Sequence, residues 1–273
     1  MSFSTGARIN TNIGAMNALS ALNSINQRLG VHQLRLATGK RINMAADDPS
    51  GYTITKKMDG TIRSLEQALA NTGDAQSVYG VAEGGYRTIS DILVQIKEKQ
   101  SRFNNDAMGT EEKDAIASEI RELATEIDDI VARTNFNGTS LLDSSYSGTF
   151  QVGETSGDVL NVSLSASVSS EALLGTAAAD IASGNVAGLT VDTGLVTVNA
   201  SIGEIGARVN RLQQKEENIM TAITNTSAAK SRILDADMAR EQVESVKLQI
   251  LQQTATAQLA QANMSPQVFL SLF

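Results

Sequence analysis

Hydrophobic residues recur every three or four positions along most of this chain, which is the period of an amphipathic helix. The first stripe comprises Ile9, Ile13, Met16, Leu19, Leu22, Ile25 and Leu29. Thr38-Gly39 interrupts the stripe, and Asp48-Pro49 then provides an N-cap and a first helical residue. The pattern predicts one long N-terminal helix, followed by a second helix from about residue 50 to about residue 102.

A third helical segment follows, and the period then changes. Thr110 or a neighbour should cap the third helix, and Asn137-Gly138 is a strong turn signal after it. Residues 150–152 and 162–168 alternate between apolar and polar side chains, which predicts two short strands. Residues 170–190 have the composition of a loop with a helical turn, and Leu195 to Val198 predict a last, weak strand.

From Ile202 the helical period returns and continues with little interruption to Ala262, and Pro266 should then end the helix. The last part of this segment carries two apolar stripes. One comprises Val243, Val246, Ile250 and Ala257, and the other comprises Leu248, Leu251, Ala255, Leu259 and Ala262. The N-terminal helix is the one internal partner available to this segment, so contacts on more than one side indicate neighbouring subunits.

The predicted fold class is therefore mainly α: a long helical bundle and a terminal coiled coil with a small β-hairpin insertion. The two ends of the chain form one module that is split in sequence, over residues 1–42 and 235–273. Residues 43–234 form the helical bundle, with a short β and loop insertion at about 140–200.

Charge is distributed in three blocks. Residues 1–46 contain five basic residues and no acid, and residues 248–273 contain no charged side chain. The block between them holds 17 basic and 30 acidic residues, a surface that repels nucleic acid. Glutamines take the polar positions of the last block, and a glutamine costs less to enclose than a charge if it finds hydrogen-bond partners. We therefore expect no nucleic-acid partner, and a C-terminal helix that other helices enclose.

The amino-acid composition excludes most kinds of catalytic and metal-binding site. The 273 residues include no Cys and one His, so thiolate sites and clusters of histidines around a metal are excluded. Asp47-Asp48 and Asp235-Ala-Asp237 are better interpreted as caps and turn residues than as catalytic or Ca²⁺-binding pairs, because no closing Glu follows them at EF-hand spacing. His32 has no acid or nucleophile beside it, which favours a structural role. We expect no enzyme, no cofactor and no metal site.

The N-terminal segment has two membrane-related alternatives. Its arginines and its lack of acids are also compatible with a mitochondrial transit peptide or with a helix on an anionic membrane. Neither alternative explains the matching apolar stripe at the C-terminus. No run approaches the roughly 18 apolar residues of a membrane span, so no membrane insertion is expected.

Three groups of motifs resemble signatures of the bacterial flagellins. Arg41-Ile-Asn-Met-Ala-Ala-Asp-Asp-Pro-Ser-Gly51 is similar to the N-terminal signature of that family. Thr134-Asn-Phe-Asn-Gly138, followed by Gln151-Val-Gly153, resembles its junction between bundle and β region. Ser231-Arg-Ile-Leu-Asp-Ala-Asp-Met-Ala239, Leu248-Gln-Ile-Leu-Gln-Gln and Leu259-Ala-Gln-Ala-Asn263 resemble its C-terminus. The resemblance covers about residues 1–155 and 200–273, in the order of the family.

The resemblance implies a structural subunit that self-assembles into the bacterial flagellar filament for swimming motility. In the family, the terminal helices line an inner tube and the bundle forms an outer tube; the short middle segment here implies a form that lacks large outer domains. The implied location is extracellular, after export without a cleaved signal peptide. The implied partners are further copies of the chain, an export chaperone, the export apparatus, and the filament cap and junction proteins. A hook-filament junction protein of related fold is the alternative interpretation, and a soluble helical enzyme is the alternative from another class.

The candidate self-assembly residues are apolar positions of the two terminal segments. They are Ile13, Leu19, Leu22, Leu29, Leu34, Leu248, Leu251, Leu259, Val268 and Leu272. In the free monomer we expect both ends to be disordered, because neither finds enough apolar surface to offset the entropy of ordering.

Two further expectations follow from the resemblance. Thr149, Ser163 and Ser165 are candidates for the O-linked sugars that many flagellins carry, with an unmodified hairpin as the alternative. Residues 93–102 align with the bundle segment that the flagellin-sensing Toll-like receptor of vertebrates binds. In that segment Gln95 and Lys99 replace an Arg and a Leu of responsive flagellins, so we expect weak activation of the receptor.

Overall fold

The structure is a computed structural model that describes residues 11–164, 167–182 and 184–270, without the side chains of residues 265–270. The helices of the described chain are α1 (Ile13–Thr38), α2 (Pro49–Phe103), α3 (Thr110–Arg133), α4 (Ser170–Leu174), α5 (Val191–Leu234) and α6 (Met238–Leu270). Two antiparallel hairpins follow α3 in the sequence: β1 (Asn135–Phe136) pairs with β2 (Thr139–Ser140), and β3 (Ser147–Gln151) pairs with β4 (Val159–Ser163). The predicted fold class, mainly α with a small β insertion, is confirmed.

The chain divides into two compact units. One unit comprises the two ends of the chain, residues 1–60 and 226–273, and the other comprises residues 61–225. In the first unit α1 packs along α6, which is the pairing predicted for the terminal coiled coil. The helices of this unit break at residues 39–48 and again at 235–237.

The core of the second unit is formed by α2, α3, α5 and the segment between α3 and α5. Its largest fully buried side chains are Tyr79, Tyr86, Ile89, Leu93, Ile96, Ile120, Ile127, Leu141, Leu142, Leu173, Leu174 and Ile181. The carboxylate of Asp128 on α3 accepts hydrogen bonds from the backbone N–H of Ser170 (2.7 Å) and from its hydroxyl (2.6 Å). Gly194 lets α5 approach α4, since a Cβ there would lie 2.6 Å from the carbonyl oxygen of Leu173. These contacts hold α4 against α3 and α5.

The strand predicted at Leu195 to Val198 is wrong, because these residues belong to α5. The helix begins at Val191 and buries Val191, Val198 and Ile205, which lie seven residues apart. Two helical turns separate such positions, so the helical period predicted from Ile202 onward in fact starts at Val191.

The second predicted strand is displaced in the structure. β4 covers Val159–Ser163 rather than residues 162–168, and β3 ends at Gln151. A short turn fixes this register, because the backbone N–H of Val152 donates to the carbonyl of Asp158 (2.8 Å) and Phe150 then faces Leu160. The Asn137-Gly138 turn is confirmed, with φ of 50° and 80° at its two residues.

The C-terminal helix also differs from its prediction, at two positions. It is interrupted between α5 and α6, because the side chain of Asp237 accepts hydrogen bonds from the backbone N–H groups of Ala239 (3.1 Å) and Arg240 (3.2 Å) and so caps a new helix. Pro266 does not end α6, which continues to Leu270. A proline in a helix leaves one carbonyl without its donor, and here the carbonyl concerned, that of Ala262, has another donor.

Candidate self-assembly interface

The seam between α1 and α6 buries part of the predicted self-assembly set. Leu29 and Leu248 are buried, with 8% and 1% of their surface exposed, while Leu22 and Leu259 are half-buried. Leu22 and Leu29 lie seven residues apart on α1, as two seam positions of a coiled coil do. These four side chains join the two ends of one chain to each other.

The rest of the described set lies on outer faces of the same two helices. On α1 the exposed apolar side chains include Ile13, Met16, Leu19, Val31 and Leu34. Five helical turns take 18 residues, so Ile13 and Val31 share one face, and Met16 and Leu34 lie beside them. Val268 and Leu272 cannot be assigned to either group, because the side chain of Val268 and the whole of Leu272 lie outside the described residues.

On α6, one of the two predicted stripes is left uncovered. The exposed fractions are 66% for Val243, 42% for Val246 and 58% for Ile250, and Met264, five turns from Val246, is 55% exposed. We call Val243, Val246, Ile250 and Met264 the outer stripe of α6. Leu251 belongs to the other stripe, yet 41% of it is exposed. The single chain therefore buries Leu248 and Ala255 of one stripe of α6 and leaves Leu251 and the outer stripe about half exposed.

Polar side chains also form contacts between α1 and α6 at several positions along the seam, and their order shows that the two helices run antiparallel. The amide nitrogen of Gln252 donates to Oδ1 of Asn26 (2.8 Å), which gives one of the uncharged glutamines a partner. Nδ1 of His32 lies 2.5 Å from Oε2 of Glu241, and the guanidinium of Arg35 lies 3.5 Å from the other oxygen of that carboxylate. Sequence reasoning missed this acid because it is 209 residues from His32 along the chain.

The flagellin-like motif around Arg41 joins the two helix breaks of this unit. Gly39, with φ of 69°, caps the end of α1. The backbone N–H of Arg41 donates to the carbonyl of Leu234 (2.7 Å), its guanidinium donates to that of Ile233 (2.8 Å), and the N–H of Ala236 donates to the carbonyl of Gly39 (2.9 Å). The motif therefore holds the segment between α1 and α2 against the segment between α5 and α6 by hydrogen bonds.

The acidic pairs of the sequence act as the predicted caps and turn residues. The Asp47 carboxylate accepts hydrogen bonds from the backbone N–H groups of Asn43 (2.9 Å) and Met44 (3.1 Å), and these bonds lower the pKa of Asp47. The Asp48 carboxylate accepts from the N–H of Gly51 (2.9 Å) at the start of α2. A Cβ on Gly51 would lie 2.4 Å from that carboxylate, so a larger residue there would displace the Asp48 side chain from its capping position.

In the second unit, the candidate glycosylation sites lie on the β3–β4 hairpin, and the candidate receptor-binding residues lie on α2. Thr149 and Ser163 are exposed on β3 and β4, and Ser165 lies outside the described residues. Gln95 is exposed on α2, and Lys99 is half-buried in an ion pair with Glu119 of α3.

A groove of about 650 Å³ also opens in the second unit, beside the turn of the β3–β4 hairpin. Its apolar wall includes Leu65, Val152, Leu160, Leu212 and Ile219. None of the described helices is long and apolar enough to cross a membrane.

Comparison with known proteins identifies the family of the chain. The model of the bacterial flagellin N-terminal helical region matches residues 9–147, and that of the C-terminal helical region matches residues 189–273. A flagellin of Halalkalibacterium halodurans is 36% identical over 269 residues, covering 97% of this chain and 98% of that protein. A flagellin of Bacillus subtilis is 36% identical over 308 residues, covering 97% and 99%. A crystal structure of Bacillus cereus flagellin is similar at a TM-score of 0.47 and 26% identity, over 59% of this chain and 94% of that one. The chain belongs to the bacterial flagellins, and it is a structural subunit of the flagellar filament, not an enzyme.

Proposed function

We propose that this flagellin polymerises through the outer faces of α1 and α6. The observation that carries the proposal is the outer stripe of α6, four apolar side chains of which the described chain leaves 42–66% exposed. A contiguous exposed apolar surface of this kind marks a site of interaction with another macromolecule. Burial of the stripe against neighbouring copies would supply free energy for assembly that the single chain leaves unused.

The charge pattern supports other copies of the same chain as the occupants. Residues 248–273 carry no charged side chain, so several such helices can pack together without like-charge repulsion and without desolvating an ion. Gln252 and Asn26 illustrate how a glutamine of this segment is satisfied by an amide of a neighbouring helix. We assign residues 1–42 and 235–273 to the inner tube, and residues 43–234 to the outer tube of the filament.

The self-assembly set then has two roles. Leu22, Leu29, Leu248 and Leu259 hold the two ends of one chain together. Ile13, Leu19, Leu34 and Leu251 are exposed in the single chain, and they contact other subunits in the filament. Val268 and Leu272 belong to the proposal on sequence grounds alone.

The hairpin is the proposed site of modification. Thr149 and Ser163 lie on the exposed face of β3 and β4, where a sugar meets no packed neighbour. Ser165 extends the same Ser/Thr-rich segment in the sequence. An intact mass above the sequence mass is expected for protein taken from its native filament, and equality of the two masses would refute the modification.

Family membership also supports the remaining partners and the location. We infer that the filament is extracellular, and that the chain reaches it through the flagellar export apparatus without a cleaved signal, accompanied by an export chaperone. The filament cap and the junction proteins are its partners at the two ends of the polymer.

Seeded polymerisation tests the proposal. Purified monomer is mixed with fragments of its own filaments, and the product is imaged by electron microscopy. Long filaments that grow from the seeds are expected of a filament subunit. A junction protein would not extend the seeds into long filaments by itself, so the absence of growth from competent seeds would overturn the proposal.

A further inference from the structure

α6 contains a proline in its interior. Pro266 lies within the helix Met238–Leu270. In an uninterrupted α-helix the N–H of residue 266 would donate to the carbonyl of Ala262, four residues earlier, but proline has no N–H. A backbone carbonyl that loses its donor away from water is costly, so the partner of Ala262 matters for the stability of this end of α6.

That partner is a side chain at the start of the other terminal helix. Nδ2 of Asn12 donates to the carbonyl oxygen of Ala262 over 2.7 Å, in a part-buried position. Oδ1 of the same carboxamide accepts from the backbone N–H of Ala15 (3.0 Å) and caps α1. The Asn12 side chain therefore caps the start of α1 with its oxygen, and its nitrogen supplies the hydrogen bond that the missing N–H of Pro266 would have made in α6.

Asparagine suits this double role better than the other good capping residues. Ser, Thr and Asp also provide an oxygen for an N-cap. Only Asn combines a capping oxygen with a pair of N–H donors on a side chain of this length. The contact between Asn12 and the carbonyl that Pro266 frees, 250 residues away along the chain, thus has a specific chemical reason.

We propose that Asn12 sets the register in which α1 pairs with α6, by recognising the one carbonyl that Pro266 frees. The apolar seam alone tolerates sliding by a heptad, because Leu22 and Leu29 on α1 lie seven residues apart, as do the buried Leu248 and Ala255 on α6. A shift by a heptad in either direction would leave the Ala262 carbonyl unpaired, and a shift toward the start of α6 would bring Asn12 to a carbonyl that already has its helical donor. This inference rests on the proposed function, since the register decides how the outer faces of both helices are presented to neighbouring subunits.

A double-mutant cycle in the full-length chain tests the proposal. Wild type, Asn12→Ser, Pro266→Ala and the double variant are each grown from wild-type seeds, and the monomer concentration left at the end of growth is measured. Serine keeps the N-cap but has no amide to reach Ala262. We expect Asn12→Ser to raise the residual concentration roughly tenfold when Pro266 is present, because a carbonyl is left unpaired. In the Pro266→Ala background, where the new residue supplies its own N–H, the same change should raise the concentration less than about twofold.

Asn26→Ser is the matched control. It removes another hydrogen bond between α1 and α6, that of Gln252, which has no connection to Pro266. Its effect should be the same with Pro266 and with alanine at that position. An equal effect of Asn12→Ser in both backgrounds would overturn the proposal, whereas failure of the wild-type chain to polymerise would count against the proposed function instead.

A second measurement needs no substitution and covers the case in which Pro266→Ala fails to polymerise. Wild-type filaments labelled with ¹⁵N in asparagine side chains and ¹³C in alanine carbonyls are studied by solid-state NMR. A direct contact between the Asn12 amide nitrogen and the Ala262 carbonyl carbon is expected. Resolved signals from both groups without such a contact would refute the register role.

Discussion

Shortening Ile250 to alanine tests whether the outer stripe of α6 is buried by assembly. In the single chain 58% of Ile250 is exposed, so most of its apolar surface gains nothing from the pairing of α1 with α6. The residue lies in the unit formed by the chain ends, not in residues 61–225. Ile250→Ala should therefore leave the helical content and thermal unfolding of that second unit unchanged in the monomer.

In the filament the same change should be costly. Full burial of an isoleucine side chain stabilises by about 1.5–3 kcal/mol relative to exposure. Since somewhat more than half of Ile250 remains to be covered, the loss on truncation is about 1.5 kcal/mol per subunit. A difference of about 1.4 kcal/mol corresponds to a factor of ten in an equilibrium constant. We expect the critical monomer concentration of Ile250→Ala to rise about tenfold.

The critical concentration is measured by sedimenting filaments grown from seeds and quantifying the supernatant. Gln253→Ala, an exposed polar position on the same helix, is the control and should stay within about threefold of wild type. Leu248→Ala should be at least as damaging as Ile250→Ala, since a fully buried leucine costs about 2–5 kcal/mol to truncate. A critical concentration for Ile250→Ala within twofold of wild type would show that assembly does not bury the outer stripe of α6.

Removal of residues 249–273 should leave a soluble, largely helical protein by circular dichroism that cannot extend seeds, and normal filaments from this truncation would contradict the role of α6. The monomer should activate the flagellin-sensing receptor about a hundredfold less potently than a responsive flagellin, because a charged hydrogen bond and an apolar anchor are both lost. In a reporter-cell dose response, Gln95→Arg with Lys99→Leu should restore potency. Wild-type potency equal to that of a responsive flagellin would exclude weak recognition by the receptor. The lowered pKa of Asp47 means that its contribution to stability is present above the usual carboxyl range and is lost as pH falls through the lowered value. The difference in thermal stability between filaments of wild type and of Asp47→Ala should accordingly be constant at about pH 5–8 and shrink below about pH 4, and a difference that grows on acidification would be inconsistent with it.

The helices were predictable because their packing is amphipathic and therefore periodic. The start and end of α2 at Pro49 and Phe103 agree with the prediction within about one residue, since an Asp-Pro cap and a cluster of polar turn residues are local signals. The start of α5 was missed because residues 195–198 contain several β-branched side chains, whose strand propensity is overridden by the burial of Val198 at helical spacing.

The seam and its polar contacts could be predicted only in part. Two stripes on the last helix were visible in the sequence, but the sequence did not reveal which leucines face α1. Leu251, grouped with Leu248, is 41% exposed, whereas Leu248 is buried. The partners of His32 and Asn12 lie more than 200 residues away along the chain, and no local pattern fixes the register of two helices that are so far apart in sequence. Pro266 was interpreted in the sequence as the end of the helix, and only the continuation of α6 to Leu270 shows that the Ala262 carbonyl needs a donor from elsewhere.

A cysteine at position 250 shows whether other subunits cover the outer stripe of α6. The chain has no cysteine of its own, so Ile250→Cys gives a single thiol, and Thr149→Cys gives a control on the exposed hairpin. Each variant is reacted with a maleimide as monomer and as filament. We expect rapid labelling of both monomers, strong protection of position 250 in the filament and continued labelling of position 149. Equal labelling of position 250 in monomer and filament would contradict burial of the outer stripe by other subunits.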